Sequence, residues 1–167
     1  MLAIFHKAFA HPPEELNSPA SLRSSKKPKS PDETLQEFIS SHPTNTSSMS
    51  FGDAAVLAYV QPDHHSLFHQ NQRVFCGYDD IYCLFMGSLN NLCAQIKQYG
   101  LARTANEAML VIEAYRTLRD RSPYPADQGS DGGVKLYWGI AADGSVVISD
   151  DIEVIKASCA KSFAPFP

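Results

Sequence analysis

The chain has 167 residues, 44% of them hydrophobic, with 18 acidic against 14 basic side chains and a formal net charge of -4. That length and apolar content suit a single domain with one sizeable core, and bases that gather on no predicted face exclude the electrostatic footprint of a DNA- or RNA-binding protein. No apolar run approaches bilayer length and the amino terminus lacks the basic-then-apolar order of a secretory signal, so a cytosolic protein with access to the nucleus is expected.

Leu2 to Phe9 is aromatic and branched enough for a strand, which Pro12 and Pro13 then end. From Asn17 to Ser30 the composition turns to Ser, Pro and Lys, including Lys26-Lys27-Pro28-Lys29, and reads as a mobile surface loop near 17–30. A nuclear-import signal is the sharper reading of those lysines and a solvated loop the plainer one. Ser30-Pro31-Asp32-Glu33 combines an N-cap, a first-turn proline and a Glu at N3, so a helix is predicted over Pro31 to Ser41, with Leu35, Phe38 and Ile39 on its apolar face. Thr44 to Ser50 is polar punctuation, and Asp53 to Val60 a buried strand. Arg73 to Cys76 and Asp80 to Met86 suit further strands.

From Ser88 the period becomes helical, with Leu89, Leu92, Cys93 and Ile96 on one face and Gly100 as the stop. Thr104-Ala105-Asn106-Glu107 forms a second capping box, opening a third helix whose buried stripe is Met109, Ile112, Tyr115 and Leu118. Val134 to Ile140 and Ser145 to Ser149 flank an Asp143-Gly144 hairpin turn, and Asp150 caps a last helix through Ile155. Phe163 to Pro167 has aromatics and no predicted element to hold them, so the carboxyl terminus is expected to be truncated.

Asp63, His64, His65 and His69 are the densest group of metal-capable side chains. Pro62 precedes them and no Glu stands in an H-E-x-x-H order, so a polar surface turn is the default and no metal is assigned. Cys76, Cys83, Cys93 and Cys159 lie in no C-x-x-C pair and in no nucleophile motif; Cys83 and Cys93 fall on predicted apolar faces, which favours buried, inert thiols. Arg116, Arg119 and Arg121, with Glu113 and Asp120, read as a charged helix end. Gly129, Gly132 and Gly133 precede a strand, not a helix, which argues against a phosphate loop. Residue chemistry alone therefore indicates no catalytic centre and no cofactor.

Several stretches taken together resemble one family: Met1-Leu2-Ala3-Ile4-Phe5-His6-Lys7, Ser41-His42-Pro43-Thr44-Asn45-Thr46, Met86-Gly87-Ser88-Leu89-Asn90-Asn91, Tyr99-Gly100-Leu101 and Leu118-Arg119-Asp120-Arg121. In this order they are similar to the plant aluminium-induced proteins with YGL and LRDR motifs, also called stem-specific proteins. That family is in turn similar to the glutaminase domain of class II amidotransferases. The resemblance implies an α+β fold, the four-layer αββα sandwich of amino-terminal-nucleophile hydrolases.

In active amidotransferases of this kind a Cys at the second position attacks the glutamine amide, with its own amine as base. The resemblance puts Leu2 there. It also puts Met86-Gly87 where active relatives have an Asn-Gly pair for the oxyanion, and methionine has no hydrogen to donate. Ala105 and Asn106 stand where an acidic residue should hold the substrate amine, and no arginine follows Leu57-Ala58-Tyr59. The remnant pocket would be lined by Leu2, Met86, Gly87 and Asn91, with no catalytic residue. The resemblance further implies strands missing between Gln128 and Gly129. The expected function is non-catalytic, in stress- or hormone-responsive plant cells, through an unidentified protein partner or small metabolite; homo-oligomerisation is left open. The alternatives are a residual hydrolase with another nucleophile and, less favoured, a metal-binding protein.

Overall fold

The structure is a computed structural model, in which residues 1–12, 27–61, 73–118, 135–159 and 163–165 are described. The chain divides into two compact units, Met1–Gln61 with Val134–Pro167, and Pro62–Gly133. Strands and helices are mixed in both, as an α+β chain requires.

The first unit is built on an antiparallel sheet of β1 (Leu2–Phe5), β2 (Thr46–Phe51), β3 (Ala55–Val60), β6 (Tyr137–Ile140), β7 (Val146–Ser149) and β8 (Phe163–Pro165), in the order β2-β3-β1-β7-β6-β8. β1 is central, with Leu2 opposite Ala58 on one side and Ser149 on the other. Because side chains alternate, Leu2, Ile4, Ala58, Val60, Val147 and Tyr137 share one face. Onto that face pack α1 (Pro31–Ser41), through Leu35 and Phe38, and α4 (Ile152–Cys159), through Val154, Ile155 and Cys159. Ala3, Phe5, Leu57, Ile148 and Trp138 fall on the opposite face, so the central strands are apolar on both sides.

Local chemistry sets the ends of these elements. α1 has the predicted bounds and a complete capping box: Ser30 Oγ accepts from the Glu33 N–H at 3.2 Å, and the Glu33 carboxylate accepts from the Ser30 N–H at 2.9 Å. Those donors hold the Glu33 carboxyl below the ordinary range. Gly144 sits at φ 91, and the Asp143 carboxylate accepts from the Ser145 N–H at 2.9 Å and its hydroxyl at 2.7 Å. Burial pushes the Asp143 carboxyl up, but the Ser145 donors outweigh it and the net shift is downward.

Several expectations need correction here. β1 stops at Phe5 because the His6 carbonyl accepts from the N–H groups of Phe9 and Ala10, folding the next residues into a turn that leaves Phe9 69% exposed. The polar stretch before Phe51 is strand β2, aligned residue by residue on β3. β6 starts only at Tyr137. Asp151, not Asp150, opens α4, its carboxylate accepting from Glu153 N–H at 2.8 Å, and that helix runs on to Cys159. Phe163 is held after all, since β8 pairs with β6. The expected loop near 17–30 lies mostly outside the described residues, but Lys29 is anchored: its N–H donates to the Ser158 carbonyl and its own carbonyl accepts from Ala142.

The second unit holds a hairpin of β4 (Arg73–Tyr78) and β5 (Ile81–Met86), followed by α2 (Leu92–Gln98) and α3 (Glu107–Leu118). Asp79 takes φ 50 in the tight connection between the paired Tyr78 and Ile81. α3 packs on both strands and on α2. The cap of α3 is Asn106, whose side-chain oxygen accepts from the Met109 N–H at 2.9 Å, rather than Thr104. Its buried residues are Ala108, Leu110 and Ile112, whereas Tyr115, expected inside, is 53% exposed. No helix among the described residues is long and apolar enough to cross a membrane.

Candidate functional site

Leu2 is 1% exposed and belongs to the core of the first unit, together with Ile4, Phe38, Ala58 and Ile155. A hydrocarbon side chain in that place has no lone pair with which to attack a carbonyl. The polar groups at the chain start are occupied as well. The Met1 ammonium forms an ion pair with the Asp150 carboxylate, both largely buried, and the Met1 carbonyl accepts from Ser149 Oγ at 2.7 Å. Ser149 Oγ also accepts from the Asp151 N–H at 3.0 Å. An ammonium held by a carboxylate is not a base. Ser149, 0% exposed and bonded in both directions, is not a nucleophile in waiting.

Met86, Gly87 and Asn91 lie in the second unit, between the end of β5 and the start of α2. Gly87 is at φ 118 with no atom near the position of a Cβ, so glycine is required there by backbone conformation and not by a crowded neighbour. Asn91 opens α2 through its carbonyl, which accepts from Ala94 and Gln95, while its side chain makes no capping bond. Met86 supplies only a thioether. A thioether has no hydrogen to donate.

Two of the other motifs are helix ends. Tyr99 is the C-cap of α2, Gly100 follows at φ 67, the Gly100 N–H donates to the Lys97 carbonyl at 3.3 Å, and the Leu101 N–H reaches back to Ile96 at 2.9 Å. Those two bonds are the Schellman pattern, in which a left-handed residue turns the chain and satisfies the last carbonyls. The Tyr-Gly-Leu motif is a helix stop. Ser41-His42-Pro43 ends α1 in a comparable way: the Phe38 carbonyl accepts from Ser41 Oγ at 2.9 Å, the His42 N–H donates to Ile39, and Thr46 Oγ1 caps the His42 carbonyl at 2.6 Å. Leu118 ends α3, partly buried, while Arg119, Asp120 and Arg121 lie outside the described residues.

Of the other hydroxyls and thiols among the described residues, Ser41 is engaged by the backbone, Cys83 and Cys159 are raised by burial, and Cys93 is exposed. Ser41 Oγ is 3.0 Å from His42 Nδ1, but Nδ1 also lies 3.2 Å from the Phe38 carbonyl. Ser41 Oγ donates its one proton to the Phe38 carbonyl at 2.9 Å, so the hydroxyl is engaged by the backbone and not by the ring. Cys159 is in the core, and burial pushes its thiol up to about 12. Burial, then the neighbouring Cys76, raises Cys83. Cys93, expected on a buried face, is exposed because that side of α2 meets solvent. No group of three or more metal-capable side chains occurs among the described residues, and Asp63, His64, His65 and His69 lie outside them. Arg116 pairs with Glu113 at 3.2 Å and lies 4.9 Å from the Tyr78 ring centre, the surface chemistry of a helix end.

The sequence model of the family described as "Aluminium induced protein" matches this chain in two stretches, residues 2–129 and 128–167. Stem-specific protein TSJT1 from Nicotiana tabacum is 36% identical over 128 residues, covering 77% of this chain and 83% of that protein. On both comparisons, this chain belongs to the plant aluminium-induced, stem-specific protein family.

Proposed function

We propose that this chain is a non-catalytic relative of the class II glutamine amidotransferase domain, active in stress- or hormone-responsive plant cells by binding a protein partner or a small metabolite. The observation that carries the reading is Leu2: where an amidotransferase needs an accessible thiol, this chain has an alkyl group 1% exposed in the middle of a sheet. Met86 in place of an oxyanion amide and the ion-paired amine of Met1 support the same conclusion. A central sheet with apolar residues on both faces and helices α1 and α4 over one of them supports an αββα sandwich. The reading includes strands lost between Gln128 and Gly129, which the two-part family match, meeting at those residues, supports.

The test is glutamate release from glutamine by Leu2→Cys and by Leu2→Cys combined with Met86→Asn. Leu2→Cys alone should give no turnover above buffer, since one missing oxyanion donor removes about 3 kcal/mol of transition-state stabilisation and an unclamped substrate removes more. Turnover by that single variant would show that a competent glutaminase site surrounds residue 2, and the proposal would fall.

A further inference from the structure

The hairpin of the second unit sets two thiols directly opposite each other. Cys76 on β4 and Cys83 on β5 are register partners, and both are partly buried free cysteines. Opposed residues of an antiparallel pair send their side chains to the same face. Their Cα atoms are about 5.5 Å apart in a hydrogen-bonded pair and about 4.5 Å in the other kind. Disulfides span about 4.4 to 6.8 Å between Cα atoms, so either pairing is within reach without moving the strands apart or along each other. The register is pinned by the two-residue connection between Tyr78 and Ile81 and by the Tyr82 ring, which lies over Gly77 and stacks on Phe75 at 6.4 Å. The thiols also sense one another, because the charge of Cys76 adds to burial in raising Cys83. Of the other two cysteines, Cys159 is in the core of the first unit and Cys93 is exposed on α2.

We propose that Cys76 and Cys83 are a redox modification site, a dithiol that a peroxide converts into a reversible cross-strand disulfide. Cys76 acts first, since burial raises the Cys83 thiol and makes it the slower of the two to react. The Cys76 thiolate attacks one oxygen of the peroxide, the O–O bond breaks, and the departing hydroxide leaves as water, which makes Cys76 a sulfenic acid. The Cys83 sulfur then attacks the Cys76 sulfur, the S–O bond breaks, and the hydroxide departs as water with the Cys83 proton. Two thiols and one peroxide yield one disulfide and two waters, with two electrons passing from sulfur to oxygen. A dithiol reductant reverses the change. This bond would tie together two strands whose outer edges carry no further described strand, and it is independent of the glutaminase reading.

The test treats the full chain with hydrogen peroxide and follows intact mass, maleimide-reactive thiols and non-reduced peptides. The expected result is the loss of two hydrogens, a fall from the four free thiols to half that number, and a linked peptide joining Cys76 to Cys83, all reversed by dithiothreitol. Cys93→Ser should leave this unchanged, whereas Cys76→Ser should abolish the loss of hydrogens. Oxygen adducts without that loss in the wild type, or a bond formed through Cys93 or between chains instead, would overturn the proposal. The decisive reading is on the wild type, so it does not depend on any variant folding.

Discussion

The two units meet the same physical requirements by different means. In the first, β1 is flanked on both sides and two helices close over Leu2, Ile4 and Val147, so stability rests on apolar burial between residues far apart in sequence. In the second, a hairpin and two short helices leave Tyr78, Tyr82, Val111 and Tyr115 exposed, and order rests on local devices: a tight turn, the Asn106 cap and the Gly100 stop. A two-stranded sheet is marginal without packing support, so the same kind of substitution should cost far more in the first unit than in the second.

The largest contrast is expected between truncations of apolar side chains. Ile155→Ala, at a site 0% exposed in the first core, should lower the unfolding free energy by about 3 kcal/mol, while Tyr115→Ala, on an exposed helix face, should change it by less than about 0.5 kcal/mol. Urea denaturation of both variants beside the wild type checks this. Equal losses would mean that Tyr115 is covered in solution.

Alkaline pH should weaken the first unit through Cys159. Its folded thiol is raised to about 12, above the ordinary thiol value, so the unfolded chain releases the proton first. The associated stability is complete below the unfolded value of about 8.5 and falls by about 1.4 kcal/mol per pH unit above it, until the folded thiol also ionises. Because tyrosines and lysines titrate nearby, the measurement is the difference in pH slope between wild type and Cys159→Val. No difference would show that the thiol is accessible to water.

A smaller effect probes the second unit's reliance on local chemistry. Gly100→Ala places a Cβ on a residue at φ 67 and should cost about 1 kcal/mol, through backbone conformation and not crowding. Amide hydrogen exchange should show the loss in the last turn of α2. Unchanged protection there would remove the helix-stop account of the Tyr-Gly-Leu motif.

What could be read from the sequence follows the same division. Local signals survived: the Ser30 capping box gave the bounds of α1, Asp143-Gly144 marked the last hairpin, and Gly100 marked the end of α2. Non-local ones did not. β2 is a polar edge strand specified by its pairing with β3 and not by its own alternation, and β8 is a strand only because β6 offers it an edge. Least legible was the chain start, where Met1 meets Asp150 across 149 residues of sequence. No spacing rule connects those two residues, which only the fold brings together.

Glutamate release from glutamine by the wild-type chain tests most directly the proposal that residue 2 is a core side chain and not a nucleophile. The expected rate equals that of buffer alone, unchanged when Cys76, Cys83, Cys93 and Cys159 are replaced in turn. Sustained wild-type turnover that survives every one of those replacements would contradict it and locate the chemistry on a group other than a thiol.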